Sequence, residues 1–293
     1  MHWFKYLKIL RLPFRGLDLS PQAFKLGGLT AANLAERSAM FVIGYFVPYF
    51  QLQHHYYTSF CPLNHFLIFF FWKFANMAGT VIITGATGSL ALEAVQQLLS
   101  SHPSLTIVGT VRNAKKSPRS PQLLRLEELA HRYPSSKLLI KSVDLNSTLE
   151  VRAFSDEIAG LVESNELPPI HAIICNAFTW SLDGQQFSKD RLESTFQVNH
   201  LSHYLLVLKL LRSMDPETGR VVMLSSEVHD PEHFNPLSKL GADLPSSDSL
   251  DTLVNPGADE VGTEHDMGWQ RYANSKLANV MFMQSMNKRL QQV

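Results

Sequence analysis

The sequence predicts an α/β fold, a doubly wound parallel sheet with helices on both faces. Three observations carry this. Short β-branched runs alternate with amphipathic helical stretches from residue 80 onward, the runs read as buried on both sides, and the first of them ends in a glycine turn that opens a helix. Strands that alternate with helices need crossover connections, and those connections place helices on the faces of a parallel sheet.

Residues 80–84 form the first strand, and the turn Thr84-Gly85-Ala86-Thr87-Gly88-Ser89 leads into a helix over 90–99. A strand is expected at 105–111 and a helix at 121–131. Further strands are expected at 137–143 and 170–175, separated by the amphipathic stretch 147–162. A long helix is expected over 192–214, a strand at 220–224 and a last helix over 269–290. Residues 231–266 are polar and rich in Pro, Gly and Asp, and a loop of that length in a compact domain is functional or disordered.

The first 76 residues differ in character. They are crowded with aromatics, broken by Pro13, Pro21, Pro48 and Pro62, and lack a sustained period. Their apolar runs, 39–50 and 66–72, are shorter than the roughly 18–20 residues needed to span a bilayer. Three readings stand: a membrane-associated anchor through residues 39–74, a disordered leader, or sequence preceding a start at Met77. Residues 77–293 are expected to form the folded domain.

The chain carries 26 Lys plus Arg and 26 Asp plus Glu, so charge gives no reason to expect a nucleic-acid partner. Cys61 and Cys175 lie far apart, which suggests neither a disulfide framework nor a Cys-based zinc site and makes a reducing, cytoplasmic compartment the default. His200 and His203 have no carboxylate or cysteine at ligand spacing, so no metal is expected and both read as core or surface histidines. Asn146-Ser147-Thr148 fits a glycosylation acceptor, and Ser147 with Glu150 fits a helix capping box; the second reading is preferred.

Functional residues are expected along the carboxyl ends of the strands. Backbone amides from Gly85 through Thr87, Gly88, Ser89 and Leu90 are candidates to hold a pyrophosphate at a helix N-terminus, as in a Rossmann-type sheet. Arg112 ends the second strand, with Lys115 and Lys116 behind it and no acidic residue in the position that would bind a ribose 2′-hydroxyl. That cationic cluster suits the 2′-phosphate of NADP; a solvated loop is the alternative.

Tyr272 and Lys276 are four apart in a helical stretch and so share a face. An unperturbed tyrosine has a pKa near about 10, and a neighbouring ammonium is expected to lower it toward the range useful for proton transfer. With the glycine turn upstream, Tyr272-Ala273-Asn274-Ser275-Lys276 resembles the Tyr-x-x-x-Lys pair of the short-chain dehydrogenases/reductases, and the resemblance covers roughly residues 80–290. It implies Tyr272 as the proton-transferring residue, Lys276 as ribose ligand and modulator, Ser226 of Leu224-Ser225-Ser226 as the hydroxyl that orients a substrate oxygen, and Asn199 as the residue organising a helix and a water-linked relay.

The resemblance also implies that Asp144 meets the adenine ring and that Asn176-Ala177 lines the cofactor site. Helix capping is the plainer role for Asp144. The chain departs from the family pattern at several places: Cys175 and Phe178 flank Asn176-Ala177 where Asn and Gly are usual, and Ser89 and Ala91 replace glycines of the first turn. Phe178 puts close backbone approach to a nicotinamide ribose in doubt. The family also continues past this helix with further strands and a substrate-covering helix, so the chain reads as C-terminally shortened.

The long insertion between Ser226 and Tyr272 resembles that of retinol-dehydrogenase-like and fungal secondary-metabolism members. The resulting expectation is an NADP-dependent oxidoreductase acting on a bulky, fairly apolar alcohol or ketone, with a homodimer as the family's usual assembly. A nucleotide-binding protein with little turnover is the alternative.

Overall fold

A computed structural model describes residues 78–115, 118–232, 235 and 237–290. The apolar runs at 39–50 and 66–72, and Lys116, lie outside the described residues.

Five parallel strands form one sheet: β1 (Gly79–Ile83), β2 (Leu105–Val111), β3 (Lys137–Ser142), β4 (Ile170–Cys175) and β5 (Arg220–Met223), in the order β3-β2-β1-β4-β5. The chain winds outward from β1 to β3 on one side and then crosses back to place β4 on the other side of β1. That reversal opens a crevice at the carboxyl ends of β1 and β4, where ligands bind in sheets of this kind.

The period of two along each strand divides the core. Ile82, Val108, Ile173 and Val221 point to one face and pack with α3 (Thr148–Glu163), α4 (Ser202–Leu210) and α5 (Glu264–Leu290) through Val151, Phe154, Leu206, Leu210, Phe282 and Met286. Val81, Ile83, Ile107 and Ile174 point to the other face, against α1 (Ser89–Ser101) and α2 (Pro121–Arg132) through Val95, Leu98, Leu126 and Leu129. Both faces are covered, which is why strands β1, β2 and β4 are buried at every position.

Local chemistry fixes the helix starts. Ser120 precedes Pro121 and accepts from the Leu123 N–H at 3.2 Å. Ser147 accepts from Glu150 N–H at 3.3 Å, so this segment takes the capping role; the Glu150 carboxylate turns to the Asp144 N–H at 3.0 Å.

Two elements differ from expectation. The segment expected as one helix over 192–214 is divided into a helical turn Ser194–Phe196, a π-helical turn Gln197–Leu201, α4, and a 3₁₀ turn Leu211–Ser213. The last helix begins at Glu264, five residues before the expected Trp269. Gly268 lies inside it because a Cβ there would sit 2.2 Å from the Ser181 carbonyl oxygen; close approach of the 181–182 backbone requires glycine. The expected loop 231–266 contains a 3₁₀ segment Ser247–Leu253.

Among the described residues no helix is long and apolar enough to cross a membrane.

Candidate functional site

The glycine turn follows directly from the end of β1. Gly85 takes φ +66, and a Cβ there would lie 3.0 Å from Ala177 Cα, so conformation and space both call for glycine. Gly88 is the N-cap of α1, and no side chain caps it. The first turn of α1 carries no acidic residue. First-turn amides at Ser89 and Leu90 have no intrahelical acceptor, and Gly88 and Ser89 are exposed, so the dipole end of α1 is open to an anion. The residues present therefore fit a dinucleotide pyrophosphate.

Thr84 holds this turn to the neighbouring strand end. Its Oγ1 accepts from the Asn176 N–H at 2.9 Å and the Ala177 N–H at 3.0 Å, while Asn176 Nδ2 donates to the Thr84 carbonyl at 2.9 Å. Asn176 is thus a clamp on the cradle, with its amide committed to backbone. Arg112 follows β2 on the same carboxyl edge and is exposed. Asp144, after β3, pairs with Lys189 at 3.0 Å and accepts from the Asn146 N–H at 3.0 Å. It does not cap α3, since Ser147 does.

Tyr272 and Lys276 lie on α5, both buried. Lys276 Nζ donates to the Leu224 carbonyl at 3.2 Å and stands 5.4 Å from the centre of the Tyr272 ring. Ser225 donates to the Lys276 carbonyl at 2.8 Å, tying the end of β5 to α5 and bringing Ser226 close enough to Tyr272 for its hydroxyl to favour the phenolate. Burial pulls the Lys276 ammonium down to about 8.

The expected lowering of the tyrosine pKa is not what this environment gives. Burial pushes the Tyr272 hydroxyl up to about 12, and the Ser226 hydroxyl only partly opposes it. The Lys276 ammonium is engaged with a carbonyl instead of the phenol oxygen, so desolvation wins.

Asn199 sits in the π-helical turn, with both ends of its amide in use. Oδ1 accepts from Thr179 N–H at 2.8 Å, and Nδ2 donates to the Thr179 carbonyl at 2.9 Å and to Ser275 Oγ at 3.0 Å. It joins the segment after β4 to the helix of Tyr272. Its backbone carbonyl accepts from Asn279 Nδ2 at 3.2 Å.

Sequence reasoning missed an aromatic wall. Trp180 and Trp269 stand 5.4 and 5.9 Å from the Tyr272 ring, and Phe178, half exposed, stands 6.2 Å from it and 5.5 Å from Lys276 Nζ. Phe178 was noticeable as a departure from glycine; the two tryptophans carry no local signal, because they meet only when the 176–193 segment packs on α5.

An uncapped glycine turn at the crossover point and a Tyr/Lys/Ser cluster at the opposite rim define a dinucleotide-fold protein of the dehydrogenase class. Residues 79–234 match the short chain dehydrogenase family, and the chain belongs to that family. It is 37% identical over 158 residues to the short-chain dehydrogenase iccH of Talaromyces variabilis, covering 53% of this chain and 42% of that protein. It is 32% identical over 218 residues to the WW domain-containing oxidoreductase of Gallus gallus, covering 72% of this chain and 45% of that protein. The short chain dehydrogenase macD of Penicillium terrestre is 28% identical over 218 residues, covering 72% of this chain and 61% of that protein. The chain thus spans about half the length of the curated relatives it matches. A metagenomic short-chain oxidoreductase solved in complex with NADP shares the fold with a TM-score of 0.51, at 17% identity over 74% of this chain and 78% of that one.

Proposed function

We propose that the protein is an NADP-dependent oxidoreductase that interconverts a ketone or aldehyde with an alcohol on a bulky, fairly apolar small molecule, in fungal secondary metabolism. The observation that carries the reading is the meeting of Tyr272 and Lys276 with the end of β5 at one rim of the crevice, with Lys276 Nζ bonded to the Leu224 carbonyl and 5.4 Å from the Tyr272 ring, and Ser225 bonded to the Lys276 carbonyl beside Ser226. The nicotinamide, when bound, supplies or accepts the hydride.

In this reading the first-turn amides of α1 hold the pyrophosphate, with Gly85, Thr87 and Gly88 shaping the turn, and Arg112 meets the 2′-phosphate. Lys276 holds the ribose; with a pKa of about 8 it is mostly an ammonium at neutral pH. Ser226 donates to the substrate oxygen. Tyr272 exchanges a proton with that oxygen, giving it up when a carbonyl is reduced and taking it back when an alcohol is oxidised. Asn199 orders the helical turn beside them. The wall of Phe178, Trp180 and Trp269 supports an apolar substrate, because ring faces gain by stacking on flat apolar groups.

Phe178 also supports a second reading, a nucleotide-binding protein with little turnover. Its ring lies against the Lys276 ammonium, which a ribose would have to share.

The full chain is to be titrated with NADPH and with NADH, following nicotinamide fluorescence, and NADPH repeated on Arg112→Ala. NADPH is expected to bind more tightly, by a margin that Arg112→Ala removes, a loss of about tenfold for one charge-assisted contact. Ketone reduction is then screened with Tyr272→Phe as the control that binds NADPH without turnover. Binding of NADPH with no reduction of any apolar ketone selects the second reading, and binding of neither nucleotide rejects both.

A further inference from the structure

His203 has no part in the steps above, and its surroundings are more specific than packing requires. It is 1% exposed on α4, and its Nε2 lies 2.8 Å from Oγ1 of Thr84, at the far end of the first strand. Its Nδ1 lies 3.2 Å from the carbonyl of Asn199, one turn back along the helix.

The hydrogen bonds fix which nitrogen carries the proton. Thr84 Oγ1 accepts from two backbone donors, the Asn176 and Ala177 N–H groups, which uses both of its lone pairs. Its single proton must be donated, either to His203 Nε2 at 2.8 Å or to the Ile174 carbonyl at 3.4 Å, and the shorter contact is the histidine. Nε2 is therefore bare. The ring proton sits on Nδ1, where it donates to the Asn199 carbonyl that Asn279 of α5 also addresses. A second ring proton would meet the Thr84 hydroxyl with no lone pair left, and burial independently holds the ring neutral, with a pKa of about 4.

We propose that His203 is a positioning residue: as a neutral, Nδ1-protonated ring it locks the glycine turn after β1 to the helical turn bearing Asn199, so that the cofactor cradle and the Tyr272 helix are set by one chain of hydrogen bonds. The proposal rests on the reading of that turn as a nicotinamide dinucleotide site. The chain runs from Ala177 and Asn176 through Thr84 and His203 to the Asn199 carbonyl and Asn279. Losing its centre frees the Thr84 side chain to rotate and release the two amides that hold the cradle closed.

The test uses the full chain and two readouts. Long-range ¹H–¹⁵N spectra, with the His203 signals assigned by their loss in His203→Gln, are expected to show the Nδ1-protonated neutral ring at pH 7. In parallel, NADPH affinity and melting temperature are measured for His203→Leu and His203→Gln. Leucine removes both hydrogen bonds; the glutamine amide reaches the Nε2 position and can accept from Thr84. His203→Leu is expected to weaken NADPH about tenfold, and His203→Gln to restore affinity to within about threefold of the parent while melting no higher than the leucine variant.

Should His203→Leu fail to fold, Thr84→Val against Thr84→Ser probes the same bond, with affinity expected to survive only in the serine variant. An Nε2-protonated or doubly protonated ring overturns the proposal. So does equal affinity in the leucine and glutamine variants, which would leave His203 a packing residue. No NADPH binding by the parent chain overturns the cofactor reading beneath the proposal, and the tautomer then tells that failure apart from failure of the bridge.

Discussion

Tyr272 and Lys276 are buried side by side, and burial shifts their pKa values in opposite directions. The Lys276 value in the fold, about 8, lies below its ordinary 10.5, so between these values the unfolded chain binds more protons than the folded one, and stability rises with pH. The penalty for burying the ammonium is fully present below pH 8 and is relieved as pH climbs through 8 toward 10.5, an effect on the order of 2–4 kcal/mol. Tyr272, raised from 10 to about 12, works the other way, its contribution being lost as pH rises from about 10 through 12. Urea denaturation of the parent and of Lys276→Met across pH 7–10 checks this. The parent is expected to gain on the methionine variant as pH rises, and parallel profiles would reject a buried titrating lysine. Phe178 gives a second residue-scale prediction. Its ring is half exposed and stands against Lys276 Nζ, so Phe178→Ala is expected to tighten NADPH severalfold by clearing the ammonium while weakening any flat apolar ketone. Fluorescence titration for the first and inhibition or turnover for the second would separate these effects.

Among the elements, α5 is held in place by partners that come from far away in sequence. Arg271 makes two bonds to the Asp259 carboxylate, at 2.6 and 3.0 Å, and its Nε faces Glu193 at 3.7 Å, with all three side chains buried. Glu193 in turn caps the turn at Ser194 by accepting from the Phe196 N–H at 2.7 Å. The insertion after β5 is therefore strapped to the helix of Tyr272, and Asp243 N–H adds a bond to Asn274 at 2.7 Å. Asp259→Ala removes both close hydrogen bonds of a buried guanidinium and leaves it only Glu193 at 3.7 Å, so it is expected to cost about 2–4 kcal/mol by urea denaturation, with Asp259→Asn losing less because one acceptor remains. A loss under about 1 kcal/mol would show that the strap is not energetically significant. These pairings explain what the sequence hid. Period and β-branching disclose the strands, since they report burial on a sheet, and the Tyr272–Lys276 spacing discloses a shared helix face. The strap is invisible because nothing local marks Asp259 or Glu193 as partners of Arg271. The start of the last helix at Glu264 is hidden in a polar stretch with no apolar period, and the π-helical turn at Asn199 lies inside a run of 192–214 so rich in apolar residues that a one-residue shift of register leaves no clear break. The tryptophans at 180 and 269 stayed unread for the same reason as the strap, their meeting being wholly tertiary.

At the scale of the whole molecule, the crevice divides the sheet between two groups of supports. The cradle belongs to β1, β2 and α1, whereas Tyr272, Lys276 and Ser226 belong to β5 and α5, and the links between the groups are Thr84 with Asn176 and His203, and Asn199 with Ser275 and Asn279. A dinucleotide bound from the α1 amides to Lys276 would span both groups, and it would bind only when they are folded against each other. Its binding energy then adds to the stability of the whole unit: at a free concentration of about 100 times Kd the gain is about 2.7 kcal/mol, or roughly 5–10 °C in Tm for a domain of this size. Scanning calorimetry with NADPH is expected to show a single transition moved upward by that amount, with a smaller shift for NADH at equal concentration and a reduced NADPH shift in Arg112→Ala. If only part of the transition moves, with the remainder melting at its original temperature, the two groups unfold independently and the hydrogen bonds through Thr84 and Asn199 do not couple them. Thr84→Val, which removes the hydroxyl at the centre of those links, is the variant in which such a split should first become visible.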